Sequence, residues 1–158
     1  MINRFKMLLI IAVLGLCLIG CDKKGNDPNA EQVSDATIGG KYVNAFNASK
    51  GSSCDEVADE LLEGVSVDYE LVKMEVTPGF LNGFDGEIEG FEDGVMFAPM
   101  IGSIPFVGYV FKTDNPNALL ESLKSKANMR WNICTEADEM VSASRDNLVF
   151  FMMCTNED

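Results

Sequence analysis

The chain has 158 residues, enough for one domain with a real core, and carries 12 Lys and Arg against 25 Asp and Glu, a net charge of −13. A surface that acidic does not neutralise phosphate, which argues against nucleic acid and bare anionic lipid as partners. The chain contains no histidine, so Ser-His and Cys-His nucleophile pairs, imidazole metal sites and the usual general base at neutral pH are all excluded.

At the start, Arg4 and Lys6 precede an uncharged apolar run over residues 7–19. The run is shorter than the roughly 20 residues that a spanning helix needs. It closes on Leu18, Ile19, Gly20 and Cys21. A large apolar residue, a spacer, a small residue and a cysteine in that order, behind a basic start, resemble the lipobox of bacterial lipoprotein precursors. The resemblance implies a signal peptide over residues 1–20 that is cleaved after Gly20. It also implies a diacylglycerol on the Cys21 thiol, further acyl chains such as palmitate, and an anchor on the extracytoplasmic face of the cell membrane. A single acyl chain binds membranes marginally, whereas two or more, at about 0.8 kcal/mol per buried methylene, hold firmly. Without residues 1–20 the balance is 10 basic to 25 acidic side chains, a net of −15. Such a domain has little besides its lipid to keep it beside a membrane.

Residues 22–40 are polar and lack an apolar period, with Pro28 and the pair Gly39 and Gly40 as breakers, so they read as a disordered tether. A flexible tether of that length reaches about 25 Å. A single domain is expected over residues 41–158.

Residues 53–64 are expected to form a helix. Ser53 and Glu56 have capping-box spacing, Val57, Ala58, Leu61 and Leu62 make an apolar stripe, and Gly64 suits the C-terminal end. The acidic outer face is a solvated surface. Over residues 65–76, Val65, Val67, Tyr69 and Leu71 alternate with polar residues before the phase slips to Val72, Met74 and Val76. Alternation indicates strand, and the slip a bulge or a second strand.

Residues 80–94 gather Asp85, Glu87, Glu89, Glu92 and Asp93 among glycines and Phe80, Phe84 and Phe91. Asp85, Glu87 and Glu89 occupy the first, third and fifth places of a calcium-loop pattern, but the twelfth, which needs a bidentate Glu, is Met96. The segment is therefore expected to be a turn-rich connection pinned to the core by its three phenylalanines, with those carboxylates the only candidate cation ligands. The uncharged residues 95–111 contain two prolines and several β-branched and aromatic residues. They are expected to give two buried strands, at 95–98 and 104–112, rather than a membrane span.

A second helix follows, capped by Asp114 or Asn115, with Pro116 in its first turn, a stripe of Leu119, Leu120, Leu123 and Ala127, and Lys124 and Lys126 at its negative end. Arg130, beside the single tryptophan, Trp131, suits an ion pair with a neighbouring acid. Residues 137–144 and 148–154 flank Arg145, Asp146 and Asn147 and should form a terminal hairpin whose second strand, apolar on both faces, lies inside a sheet.

Beyond Cys17 and Cys21 the cysteines are Cys54, Cys134 and Cys154. If one disulfide forms, Cys134 with Cys154 is the pair that flanks the hairpin; otherwise all three are reduced core residues. No pair has the CxxC spacing of a redox or zinc site.

The expected fold is α+β, in the order α-β-β-β-α-β-β, with a single mostly antiparallel sheet and two helices packed on one face, loosely ferredoxin-like. The layout of lipobox, short acidic linker, amphipathic helix and apolar strands around a second helix is similar to that of small lipoproteins of anaerobic Gram-positive bacteria that carry a domain of unknown function. The expected function is a non-enzymatic binding or interaction module at the cell envelope, without a cofactor beyond the lipid, whose partner is a protein or small ligand. An envelope enzyme using paired carboxylates on polysaccharide, and cation binding by the Asp85 to Asp93 segment, are the alternatives.

Overall fold

A computed structural model describes residues 35–156 of the chain. Its first helix, α1 (Ile38–Ala48), begins inside the expected tether. Thr37 caps it, accepting from the Gly40 amide at 3.0 Å while its hydroxyl donates to Glu139 Oε1 at 2.8 Å. Gly39 and Gly40 are not breakers here. A Cβ on Gly39 would stand 2.5 Å from Glu139 Oε2, so the glycine lets the helix start sit directly on a carboxylate to which its own amide donates at 3.1 Å. Residues 37–40 therefore belong to the folded domain and not to the expected tether, which corrects the expected boundary at position 41.

The second helix, α2 (Cys54–Gly64), carries the expected capping box between Ser53 and Glu56. It buries Cys54, Val57, Ala58 and Leu61.

Five strands form one sheet: β1 (Leu71–Glu75), β4 (Asp93–Pro99), β5 (Val107–Lys112), β6 (Glu139–Arg145) and β7 (Leu148–Cys154), in the spatial order β1-β4-β5-β7-β6, with every neighbouring pair antiparallel. A separate two-stranded ribbon joins β2 (Gly79–Phe80) to β3 (Glu87–Ile88). The class is α+β, as expected. β5 and β6 both run antiparallel to the β7 strand between them, so they are parallel to each other. The helix α3 (Pro116–Lys126) makes the crossover, giving a split βαβ unit.

The helices do not share one face. Along β7, Leu148, Phe150, Met152 and Cys154 pack with α1 and α2, whereas Val149, Phe151 and Met153 pack with Leu119, Leu120 and Leu123 of α3. β4 divides in the same way, with Val95 and Phe97 on one side and Met96 and Ala98 on the other. The sheet is therefore covered twice, which is why its central strands are apolar on both faces. The third helix and the second covered face correct the expected arrangement of two helices on one face.

Where β5 meets β4, Gly108 lies opposite Phe97, and a Cβ at position 108 would strike the Phe97 ring. Here glycine is required by close packing. The hairpin turns over Asp146 and Asn147, with Asp146 at φ 51°. Asparagine and aspartate tolerate that left-handed region better than most residues.

The strand expected over 65–76 is confined to β1. Residues 65–70 form a connection, so the phase slip at Leu71 and Val72 marks entry into the strand rather than a bulge.

Candidate functional site

The register places Leu71 opposite Pro99, Val107 opposite Met153 and Glu139 opposite Cys154. The start of β1, the turn from β4 to β5, the start of β6 and the C-terminal end of β7 therefore lie at one end of the sheet. Thr37, hydrogen-bonded to Glu139, brings the start of α1 to that end as well.

A hollow of about 260 Å³ opens there, lined by Tyr69, Glu70, Pro99, Met100, Ile101 and Ile104. Tyr69 also borders a neighbouring hollow of about 280 Å³ beside Leu62, Val65 and Leu71. Each is of the size that takes one or two side chains or a small organic group. Met100 and Ile101 are 69% and 67% exposed, and Ile133, in the connection after α3, is 93% exposed. Asn132 Nδ2 donates to the Gly102 carbonyl and the Thr135 hydroxyl to the Ser103 carbonyl, so two loops far apart in sequence are tied into one surface. Met100, Ile101 and Ile133 thus place three large exposed apolar side chains at one end of an acidic protein. Periodicity did not reveal this end, because isolated Met and Ile residues in turns carry no period.

Beneath the first hollow, Tyr69 and Phe106 meet edge to face at 5.6 Å, and Phe106 in turn contacts Tyr42 at 5.8 Å. Tyr42 is fully buried, and its hydroxyl has no hydrogen-bond partner. Burial pushes that phenol well above its ordinary range, so it stays neutral.

Among the described residues no group of three or more Cys, Asp and Glu is placed to hold a metal ion. Asp85 accepts from Asn128 Nδ2 at 2.7 Å, and its amide donates to the Lys126 carbonyl at 2.9 Å. Lys126 Nζ donates to the Glu87 carbonyl at 2.7 Å, while Glu87 and Glu89 are exposed. Phe84 and Phe91 are pinned in the core as expected, against Tyr109 and Phe111, but Phe80 is 76% exposed. Its place in the β2–β3 ribbon holds it off the core. Arg130 pairs with Glu136 at 3.6 Å, an ion pair on the surface. On α2, Asp55 and Asp59 are held by Lys73 of β1 at 2.6 and 2.5 Å.

Cys54, Cys134 and Cys154 are all free, so of the two alternatives the Cys134–Cys154 pair is not made, and of the three reduced thiols Cys134 is exposed and not in the core. The reason is the two-sided sheet. Cys154 packs on the α1 face, whereas Cys134 is exposed in a connection whose Met129, Trp131 and Ala137 pack on the α3 face. Burial, with Glu139 nearby, pushes the Cys154 thiol up to about 12, and burial, with Asp93 nearby, does the same to Cys54. A thiol-reactive dye at neutral pH should modify Cys134 within the native fold and reach Cys54 and Cys154 only in denaturant. Rapid native labelling of more than one of the three would contradict the burial. The raised values also mean that stability from these two thiols is complete below about 9, where the unfolded thiols begin to ionise, and is lost as the pH climbs towards 12.

Cys21, the expected lipid attachment site, lies outside the described residues. Among the described residues no helix is long and apolar enough to cross a membrane. Comparison of the chain with family models, with curated proteins and with solved structures finds no match.

Proposed function

We propose that this protein is a lipid-anchored module on the extracytoplasmic face of the cell membrane that binds a protein or small ligand of the envelope without acting as an enzyme. The observation that carries the binding reading is the apolar hollow of Tyr69, Pro99, Met100, Ile101 and Ile104, open at one end of an otherwise acidic domain. Its chemistry is recognition by contact. The hollow holds apolar walls and one carboxylate, Glu70, which suits an apolar group carried beside a positive charge. The anchor rests on Cys21 and the apolar run before it, and these need the lipoprotein resemblance to give them a role.

The test of binding is a thermal-shift screen of the protein against fractionated envelope components, repeated with Ile104→Asp, which places a charge in the wall of the hollow. A ligand at 100 times its Kd adds about 2.7 kcal/mol, a rise of several degrees for a domain of this size. The expected result is a component that raises the melting temperature of the parent and leaves the variant unmoved. A component that stabilises both equally binds elsewhere and counts against the hollow.

A further inference from the structure

We propose that the outer edge of β1 is a self-association surface, to which a second copy of this chain adds its own β1, antiparallel, about a two-fold axis at Met74. The inference is independent of the reading above and needs neither the hollow nor the lipid.

β1 stands at one end of the sheet order β1-β4-β5-β7-β6. The Val76 amide donates to the Gly94 carbonyl at 2.9 Å, and the register sets Met74 opposite Met96 and Val72 opposite Ala98. Antiparallel ladders alternate, so Val72, Met74 and Val76 direct their backbone groups to β4, while those of Leu71, Lys73 and Glu75 face outward. Among the described residues these outward groups meet no hydrogen-bond partner. Every residue of β1 is half-buried or exposed, whereas β6, at the other end of the sheet, buries Val141, Ser142 and Ala143. β1 is therefore the open edge, and an open edge is a template for another strand.

What selects a second copy is the order of residues along that edge. Set antiparallel against itself, Val72-Lys73-Met74-Glu75-Val76 is its own complement. Lys73 falls opposite Glu75 of the second copy, Met74 opposite Met74, and Val72 opposite Val76. The hydrogen-bond alternation permits this register, because Lys73 and Glu75 both carry outward amides and carbonyls. The register centred on Lys73 is also permitted, but it opposes two lysines, and like charges directly opposite one another are destabilising. Lys73 and Glu75 share the α2 face with Phe97 and Val95, and Met74 shares the α3 face with Met96. One face of the joint thus carries opposite charges in pairs, and the other covers Met74, which is 48% exposed, and the half-buried valines. Such an isologous contact closes on itself at two copies and makes one continuous sheet of the two.

Two features keep the dimer weak. Asp55 and Asp59 hold Lys73 at 2.6 and 2.5 Å, so this face carries more acid than base and the copies repel there. A strand of this length also buries less than the roughly 1,000 Å² of a stable interface. The association is a reversible one, best seen by trapping.

The full chain, with Cys134→Ser to remove the exposed thiol, is given Met74→Cys and oxidised mildly with copper phenanthroline in an excess of detergent micelles. Opposed residues of a non-hydrogen-bonded pair have Cα atoms about 4.5 Å apart, within reach of a disulfide. The expected result is a covalent dimer whose yield rises with protein concentration. Phe80→Cys in the same background, at a position 76% exposed but beyond the strand, should trap far less, and the background with Met74 intact reports any dimer made through other thiols. Equal trapping at positions 74 and 80, or none at 74, overturns the proposal. Register is read by charge. Adding Glu75→Lys, at an exposed position, or Lys73→Glu to Met74→Cys should each lower the yield about tenfold. Mixing these two variants, each checked by circular dichroism for an unchanged fold, should restore it, because every lysine then faces a glutamate. Undiminished trapping in Glu75→Lys, or folded variants that do not rescue each other, means that the edge does not pair with itself in this register, and the proposal fails.

Discussion

Replacing Phe150 by alanine should cost about 3–5 kcal/mol, the usual range for a fully buried phenylalanine. Phe150 lies on the interior strand β7, between β5 and β6, and is completely buried. Its ring stacks on Phe46 at 5.5 Å and on Tyr42 at 6.5 Å, so it joins the sheet to α1 through both aromatic residues of that helix's buried stripe. The neighbouring contacts of Tyr42 with Phe97 and Phe106 leave little freedom for the helix to collapse into the space that alanine would open. Total stability for a domain is of the order of 5–15 kcal/mol, so the loss is a large share of it and should lower the melting temperature by at least 10 °C. Urea denaturation followed by circular dichroism checks this through a lower midpoint at an unchanged slope. Phe80→Ala is the contrast: the side chain is 76% exposed, and its removal should change stability by less than about 0.5 kcal/mol. Equal losses at the two positions would contradict the division into buried and exposed phenylalanines.

Gly108→Val should destabilise the domain by about 3 kcal/mol, at the upper end of the cost of overpacking a core. Valine is otherwise favoured in strands, and Gly108 has no positive φ for a side chain to violate, so intrinsic preference would make the change neutral or favourable. The opposing effect is steric. A Cβ at this position meets the ring of Phe97, which is itself fully buried and held against Tyr42. The strain can be assigned by adding Phe97→Leu. If the collision with the ring is the cause, the double variant should be less destabilised than the sum of the single changes by at least 1 kcal/mol. Strict additivity would place the cause elsewhere.

Much of this architecture is legible in residue order, and the missed parts have physical reasons. The capping box of α2, Pro116 at the start of α3 and the doubly apolar run of β7 are local signals that mean the same thing in isolation as in the fold. α1 was hidden because Gly39 and Gly40 are poor helix formers. Gly39 is tolerated through tertiary contact with Glu139 and Val141, about one hundred residues away in the chain, while the Gly40 amide donates to the Thr37 cap. The assignment of helices to faces was also illegible, since a strand buried on both sides states that it is covered but not by which helix. The choice between a Cys134–Cys154 pair and three reduced thiols stayed open for the same reason, because proximity to one hairpin says nothing about the face on which each thiol emerges. Of the candidate site, Pro99 to Ser103 read only as a turn, and Ile104 as the start of a strand that in the structure begins at Val107. The joining of that turn to residues 132–135 by Asn132 and Thr135 depends on two loops meeting across the end of the sheet.

The proposed anchor on Cys21 organises the functional account, because it would place the acidic domain at the membrane. The most direct measurement is mass spectrometry of the N-terminal peptide of the protein isolated from bacterial membranes, alongside Cys21→Ala. The expected peptide begins at Cys21 and carries a diacylglycerol, with residues 1–20 absent, and the variant should be neither acylated nor cleaved after position 20. An intact N-terminus with an unmodified Cys21, or a Cys21→Ala protein still cleaved and acylated, would contradict the account.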